Sequence, residues 1–127
     1  VLLLNPEDEH VLNNYSYYLS LRKEQLEKAA RMAKKLVESF PKESTYLDTF
    51  AWVLYQQGNY QDALRFLEMA IQERKSPSAA IWEHHGDTLY RLGRVEEAVK
   101  SWRKAKDLPN ADQNLDKKIK MKRIVEN

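Results

Sequence analysis

Residues 47–70 read LDTFAWVLYQQGNYQDALRFLEMA, and residues 82–105 read WEHHGDTLYRLGRVEEAVKSWRKA. Each stretch holds a glycine of the turn type, Gly58 or Gly93, between two segments of apolar residues spaced at i, i+3, i+4 and i+7. That spacing marks one face of an amphipathic helix. Leu47, Phe50, Ala51 and Leu54 form the stripe before Gly58, and Tyr60, Ala63, Leu67 and Ala70 the stripe after it. Trp82, His85, Gly86 and Leu89, then Val95, Ala98, Trp102 and Ala105, repeat the arrangement around Gly93. A glycine closing one helix just ahead of the next stripe predicts two antiparallel helices joined by a short turn.

A third copy lies upstream. Leu12, Tyr15, Ser16 and Leu19 form its first stripe, and Leu26, Ala29, Ala33 and Leu36 its second, with one extra residue in the turn between them. An offset of 35 superposes Leu12, Leu47 and Trp82, then Ser16, Ala51 and Gly86, and it also separates Gly58 from Gly93. Pro6, Pro41, Pro77 and Pro109 fall outside the stripes, and Ser76-Pro77 reads as a cap followed by proline at a first helical position. No useful length alternates with period two, so strands are not expected. A fixed period of this size predicts a solenoid, because one helix pair cannot bury its apolar face alone. Ser16, Ala51 and Gly86 face Ala29, Ala63 and Ala98, small against small, which lets the paired backbones approach closely.

These residues carry a family resemblance. Trp82-x-x-His85-Gly86-x-x-Leu89, then Ala98-x-x-x-Trp102 and Pro109, resemble the tetratricopeptide repeat. The middle unit matches through Phe50, Ala51, Gly58, Tyr60, Ala63 and Ala70, and the first through Ser16, Ala29 and Pro41. The departures are His85, Leu89 and Lys75. The resemblance spans about residues 1–112 and implies an all-α solenoid of about three helix-turn-helix pairs plus a C-terminal capping helix. It divides the chain into 1–8, a remnant of a preceding repeat; 9–43, repeat 1; 44–78, repeat 2; 79–112, repeat 3; and 113–127, a capping helix and tail. Leu4-Asn5-Pro6-Glu7-Asp8 resembles the end of an earlier repeat, which predicts further repeats N-terminally and self-association through the exposed end with Val1 to Leu4. In the last segment Leu115, Ile119, Met121 and Ile124 are expected to cover the third pair, with Asp112 near the helix N-terminus. The array is also similar to the C-terminal part of large bacterial tetratricopeptide proteins, many of them exported or envelope-associated, through Asn13-Asn14-Tyr15 and Tyr46-Leu47-Asp48-Thr49.

Composition bounds the chemistry. The 127 residues are 43% hydrophobic and 31% charged, with no Cys, which excludes a disulfide scaffold, a thiol nucleophile and a cysteine-based metal site. A net charge of +2 gives no reason to expect nucleic acid as partner, and the Val1–Leu4 run is far too short for membrane insertion. Lys117-Lys118-Ile119-Lys120-Met121-Lys122-Arg123 reads as the solvated face of the capping helix, with Ile119 and Met121 turned to the core. His84-His85 with Glu83 and Asp87 is the nearest approach to an acid–base or metal cluster. Neighbouring residues on a helix point about 100° apart, so the two histidines cannot share an ion. His84 stands i, i+3 to Asp87, and His85 falls in a core column. No nucleophile has a base in reach by spacing, and no glycine-rich phosphate loop occurs, so no catalytic residue, metal or cofactor is expected.

The resemblance implies a non-enzymatic interaction scaffold, since the family's first helices line a concave groove that receives extended or helical peptides. The alternative is an architectural end-piece of a larger repeat protein, its groove empty. The period places Asn13, Asp48 and Glu83 in one groove column, Tyr17, Trp52 and Asp87 in the next, and Ser20, Tyr55 and Tyr90 in a third, bordered by His10, Thr45, Gln56 and Arg91. This predicts an aromatic, acidic surface for a neutral or basic protein segment containing aromatics. It argues against the acidic chaperone tails that some family members hold with Lys, Arg and Asn. In the competing reading Trp52 and Tyr55 simply pack against the next pair.

Overall fold

A computed structural model describes residues 6–73 and 77–124, with side chains from residue 9 onward. Among the described residues there are seven α-helices and no strand: α1 Pro6–Arg22, α2 Leu26–Ser39, α3 Ser44–Gln56, α4 Tyr60–Glu73, α5 Ala79–Arg91, α6 Val95–Lys106 and α7 Leu115–Met121. They stack as three pairs, α1/α2, α3/α4 and α5/α6, each packed on the next, with α7 against α6. Val1 to Leu4, on which the expected self-association partly rests, and Lys75, where a family proline is missing, lie outside the described residues.

The turns show how one residue more or less is absorbed. Gly58 and Gly93 take φ of 82° and 81°. The N–H of Asn59 bonds the carbonyl of Leu54, and that of Arg94 the carbonyl of Leu89, so the end of each first helix is closed by a left-handed glycine. The carbonyls of Asn59 and Arg94 then accept from Ala63 and Ala98, opening the second helix. In the first unit two residues share that work. Glu24 bonds back to Leu19, while Gln25 accepts from Ala29. The inserted Gln25 and the non-glycine Lys23 both sit at positive φ, 46° and 56°.

The small residues sit where close approach requires them. Ser16, Ala51, Ala29, Ala63 and Ala98 are all fully buried, as is Trp102. A Cβ on Gly86 would come within 2.5 Å of the Trp102 ring and 3.0 Å of the Ala98 carbonyl, so glycine is what lets α5 lie against that indole.

Two local expectations are corrected. The third pair opens at Ala79 with Ser78 as its cap, the Ser78 hydroxyl accepting from the N–H of Ile81 at 3.3 Å. Pro77 therefore precedes the cap instead of occupying the first helical position, and Ser76 lies outside the described residues. In α7, Leu115 is buried and Ile119 packs on the third pair as expected, but Met121 is 48% exposed and Lys118 is buried. The basic run is therefore not uniformly solvated.

Candidate functional site

The groove is built by α1, α3, α5 and α7, because successive first helices place the same register positions side by side. Trp52 is at its centre. Its indole stacks on His84 at 3.9 Å and 19°, and on Tyr55 at 4.1 Å and 12°, with Tyr17 tilted against the same imidazole at 6.2 Å. Trp52 and Tyr55 are each 8% exposed and belong to the buried cluster of the second unit, packed against His84 and Arg91 of the next pair. The columns do bring Tyr17, Trp52 and Tyr55 together through His84. Tyr90 instead tilts against Trp102 at 6.1 Å and joins the third unit's core.

The expected acidic surface has a different arrangement. Asp48 and Asp87 are buried, and Glu83 is half-buried. Asp48 Oδ1 lies 2.8 Å from His84 Nδ1, while Lys118 Nζ donates to Glu83 Oε2 at 2.7 Å and to Asp87 Oδ1 at 3.0 Å. Asp87 also accepts from the Trp102 indole N–H at 2.9 Å. All three carboxylates are thus compensated from within, as burial demands. Burial pushes the carboxyls of Glu83 and Asp87 above the usual range, with Lys118 opposing. Burial also raises the Tyr17 hydroxyl to about 12, helped by Asp48 and Glu83. The Tyr55 hydroxyl is likewise raised to about 12 by burial, and it accepts from Arg91 Nε at 2.9 Å.

Sequence reasoning placed His84 only in the acid–base cluster and Lys118 only on a solvated face, and put neither in the groove. The i, i+3 partner expected for His84 was Asp87, but the helix-to-helix partner, Asp48, is the one that bonds. His85, half-buried, bonds Ser101 Oγ at 2.7 Å, with Glu68 at 3.5 Å from its other nitrogen. The usable signal was the period itself, since 36 separates His84 from Asp48 and 35 separates Lys118 from Glu83.

Three clefts open along this face. One of about 200 Å³ is lined by Lys23, Trp52, Tyr55, Gln56, Asp87 and Arg91 among others. One of about 410 Å³ runs past Tyr17, Leu21, Trp52, Glu83 and His84. A third of about 260 Å³ is lined by Asn13, Asn14, Tyr17, Thr45 and Asp48, with Ala80 and Ile81. Ser20 is buried and donates to the Tyr17 carbonyl at 2.6 Å, and exposed His10 lies 3.2 Å from the Tyr46 hydroxyl. Among the described residues, four buried side-chain polar atoms lack a hydrogen-bond partner: Ser16 Oγ, Ser44 Oγ and, on residues that line these clefts, the indole N–H of Trp52 and the amide oxygen of Asn13.

Helix pairs with this period, these small contact residues and a groove of first helices define a tetratricopeptide repeat array. Residues 22–105 match the family described as anaphase-promoting complex, cyclosome, subunit 3, and the chain belongs to that family. It is 29% identical over 87 residues to a TPR repeat-containing protein of Pseudomonas aeruginosa, a match covering 68% of the chain and 14% of that protein. Among solved structures it is similar to the first TPR domain of Spaghetti bound to an HSP90 peptide, with a TM-score of 0.81, 13% identity, and coverage of 94% of this chain and 95% of that one. It is also similar to the Sgt2 TPR domain of Aspergillus fumigatus, with a TM-score of 0.78, 16% identity, and coverage of 93% and 78%. A third likeness is to the type III secretion translocator chaperone SycD of Yersinia enterocolitica, with a TM-score of 0.73, 12% identity, and coverage of 94% and 81%. At these identities the structures share the fold. The family is one of protein-interaction scaffolds.

Proposed function

We propose that the concave face receives a segment of another protein, laid across α1, α3 and α5. The observation that carries this reading is the pair of buried, unpartnered polar atoms at the clefts, a donor on Trp52 and an acceptor on Asn13. Leaving such groups unmade costs about 1–3 kcal/mol each. A peptide backbone offers the carbonyl and N–H that would satisfy both once the side chains closing them off from the clefts move aside. Around them Tyr17, Gln56, Glu83 and Arg91 line the clefts and keep surface for side-chain contact, over a floor of Trp52, Tyr55 and His84. Because Asp48, Glu83 and Asp87 are compensated internally, this floor suits a neutral segment with an aromatic side chain, or one with a modest basic charge. A peptide bound by the related Spaghetti domain reads SRMEEVD. Its run of carboxylates is not the complement of these groove columns.

Trp52→Phe is the deciding variant, since it keeps a stacking ring between His84 and Tyr55 and deletes only the N–H donor and a little volume. Peptides selected from a display library against the wild type should bind Trp52→Phe at least about tenfold more weakly, as loss of one buried hydrogen bond predicts. They should shift the Trp52 indole resonance, and SRMEEVD should not. Selection that returns no groove-binding peptide would favour the architectural end-piece instead.

A further inference from the structure

Lys118 reaches into the groove from α7 and stands where the groove divides. It lines both the cleft of about 200 Å³ and the cleft of about 410 Å³, as do Trp52 and Asp87, so these three side chains part the two. The ammonium donates to Glu83 Oε2 at 2.7 Å and to the two oxygens of Asp87 at 3.0 and 3.3 Å, and it lies 5.9 Å from the centre of the Trp102 ring. A carboxylate pair beside an aromatic ring is how a protein holds a basic side chain, whether its own or a partner's. Lys118 answers only part of what this place asks for. An ammonium has donors and no acceptor. The Trp52 indole N–H, on a buried ring bordering both clefts, is left without an acceptor. A peptide brings both, a cationic side chain and a backbone carbonyl.

The element that carries Lys118 is lightly held. α7 has seven residues and no side-chain cap at Asn114. A helix that short does not stand alone in water. Leu115 is its buried anchor, with Ile119 beside it. The ion pairs Lys106–Asp116 and Lys122–Glu96, which also tie this segment to α6, are exposed and worth little. What most resists its departure is the cost of stranding Glu83 and Asp87, and exchanging one basic side chain for another removes that cost. We propose that Lys118 is an internal stand-in for a lysine or arginine of the partner segment, and that binding trades it for that side chain as α7 loosens from the groove. This rests on the groove reading above and adds what the occupant must carry: a basic side chain for Glu83 and Asp87, close to a backbone carbonyl for Trp52.

The test uses the full chain and two pools of short synthetic peptides, random except for a central Lys in one and norleucine in the other. Groove binders are recognised by a shift of the Trp52 indole resonance. Those from the Lys pool should bind about tenfold or more tighter than their norleucine counterparts, and they should speed amide exchange in α7 by a similar factor. In the variant carrying Glu83→Gln, Asp87→Asn and Lys118→Met, each pair of counterparts should bind alike. Lys106→Cys with Asp116→Cys, joined by a short bis-maleimide in a chain that has no other cysteine, pins α7 outside the groove residues. Linking should weaken the Lys peptides about tenfold against the same variant left unlinked. Groove binders that do not distinguish Lys from norleucine, that still distinguish them in the triple variant, or that bind equally with α7 linked would overturn the stand-in role and leave the groove reading in place. If neither pool shifts Trp52, the groove reading falls and the stand-in role falls with it.

Discussion

Lys118 Nζ lies 2.7 Å from Oε2 of Glu83, and the two residues stand 35 positions apart. The same relation recurs along the molecule. Tyr46 donates its hydroxyl to Glu9 at 2.8 Å, His84 meets Asp48 at 2.8 Å and Arg91 reaches Tyr55 at 2.9 Å, across separations of 37, 36 and 36. Each bond runs from one first helix to the next, so α7 occupies the place of a fourth first helix and ends the ladder with a cation. Asp87 and Glu83 together hold the Lys118 ammonium pKa above its ordinary value, although burial alone would lower it.

Removing that cation strands two carboxylates. The side chains of Lys118, Asp87 and Glu83 are only 7%, 9% and 14% exposed. Lys118→Ala should therefore cost about 3–5 kcal/mol, the loss expected when one partner of a buried ion pair is deleted. Adding Glu83→Gln and Asp87→Asn to Lys118→Met should restore most of it. Urea denaturation of the three proteins checks this. A Lys118→Ala midpoint equal to wild type would remove α7 from the account of stability.

The glycines separate two kinds of constraint. Gly86→Ala puts a methyl group against the Trp102 ring and should cost about 1–3 kcal/mol by overpacking. Gly58→Ala meets nothing within 4 Å, yet its φ of 82° disfavours any Cβ, so its cost should be about 1 kcal/mol and local to the turn. Thermal melts rank the two, and hydrogen exchange locates them. The larger loss should come from Gly86, with α5 and α6 loosened together.

The helix pairs were legible because they depend on local pattern and short turns, both of which repeat at 35 residues. Ser16, Ala51 and Gly86 could be assigned to the pair contact for the same reason. The groove columns were legible as positions but not as chemistry. Whether Asp48 faces solvent depends on a ring 36 residues away, and the exposed or buried state of Lys118 depends on two carboxylates on another helix. Periodicity fixes which residues share a face. It does not say which of them bond one another across successive helices.

Lys23 occupies the turn register that Gly58 and Gly93 fill, with φ of 56°. A side chain in that conformation costs roughly 1–2 kcal/mol, partly offset by glycine's greater freedom in the unfolded chain. Lys23→Gly should therefore stabilise the first pair by about 0.5–1 kcal/mol. The check is a rise in the urea midpoint together with slower exchange in α1 and α2. A destabilised variant would mean that the lysine side chain does more at the cleft edge than the backbone gains.

The two histidines set opposite pH dependences. Burial works to lower the His84 pKa, but the charge and hydrogen bond of Asp48 more than reverse it, so the folded value lies above 6.5. The folded state then binds the extra proton, and this stabilisation is complete below 6.5 and lost as pH rises through the folded value. Burial lowers His85 despite Glu68, so the folded state binds fewer protons there, and its contribution is lost as pH falls from 6.5 through the folded value. Between them the two should place a stability maximum near pH 6.5. Asp87 and Glu83, both raised, add a loss as pH climbs out of the acid range, which opposes the His85 gain and makes the acid arm shallow, so the alkaline arm carries the test and needs its own control. Asp48→Asn supplies it, because it removes the charge that raises His84 and leaves Lys118 with its partners. Urea midpoints measured from about pH 5 to 9 should fall on both sides of the maximum in the wild type. In Asp48→Asn the alkaline fall should be much shallower and the acid fall retained. A wild-type midpoint that keeps rising above pH 6.5 would show that His84 is held neutral in the folded chain, with Asp48 accepting from an uncharged ring.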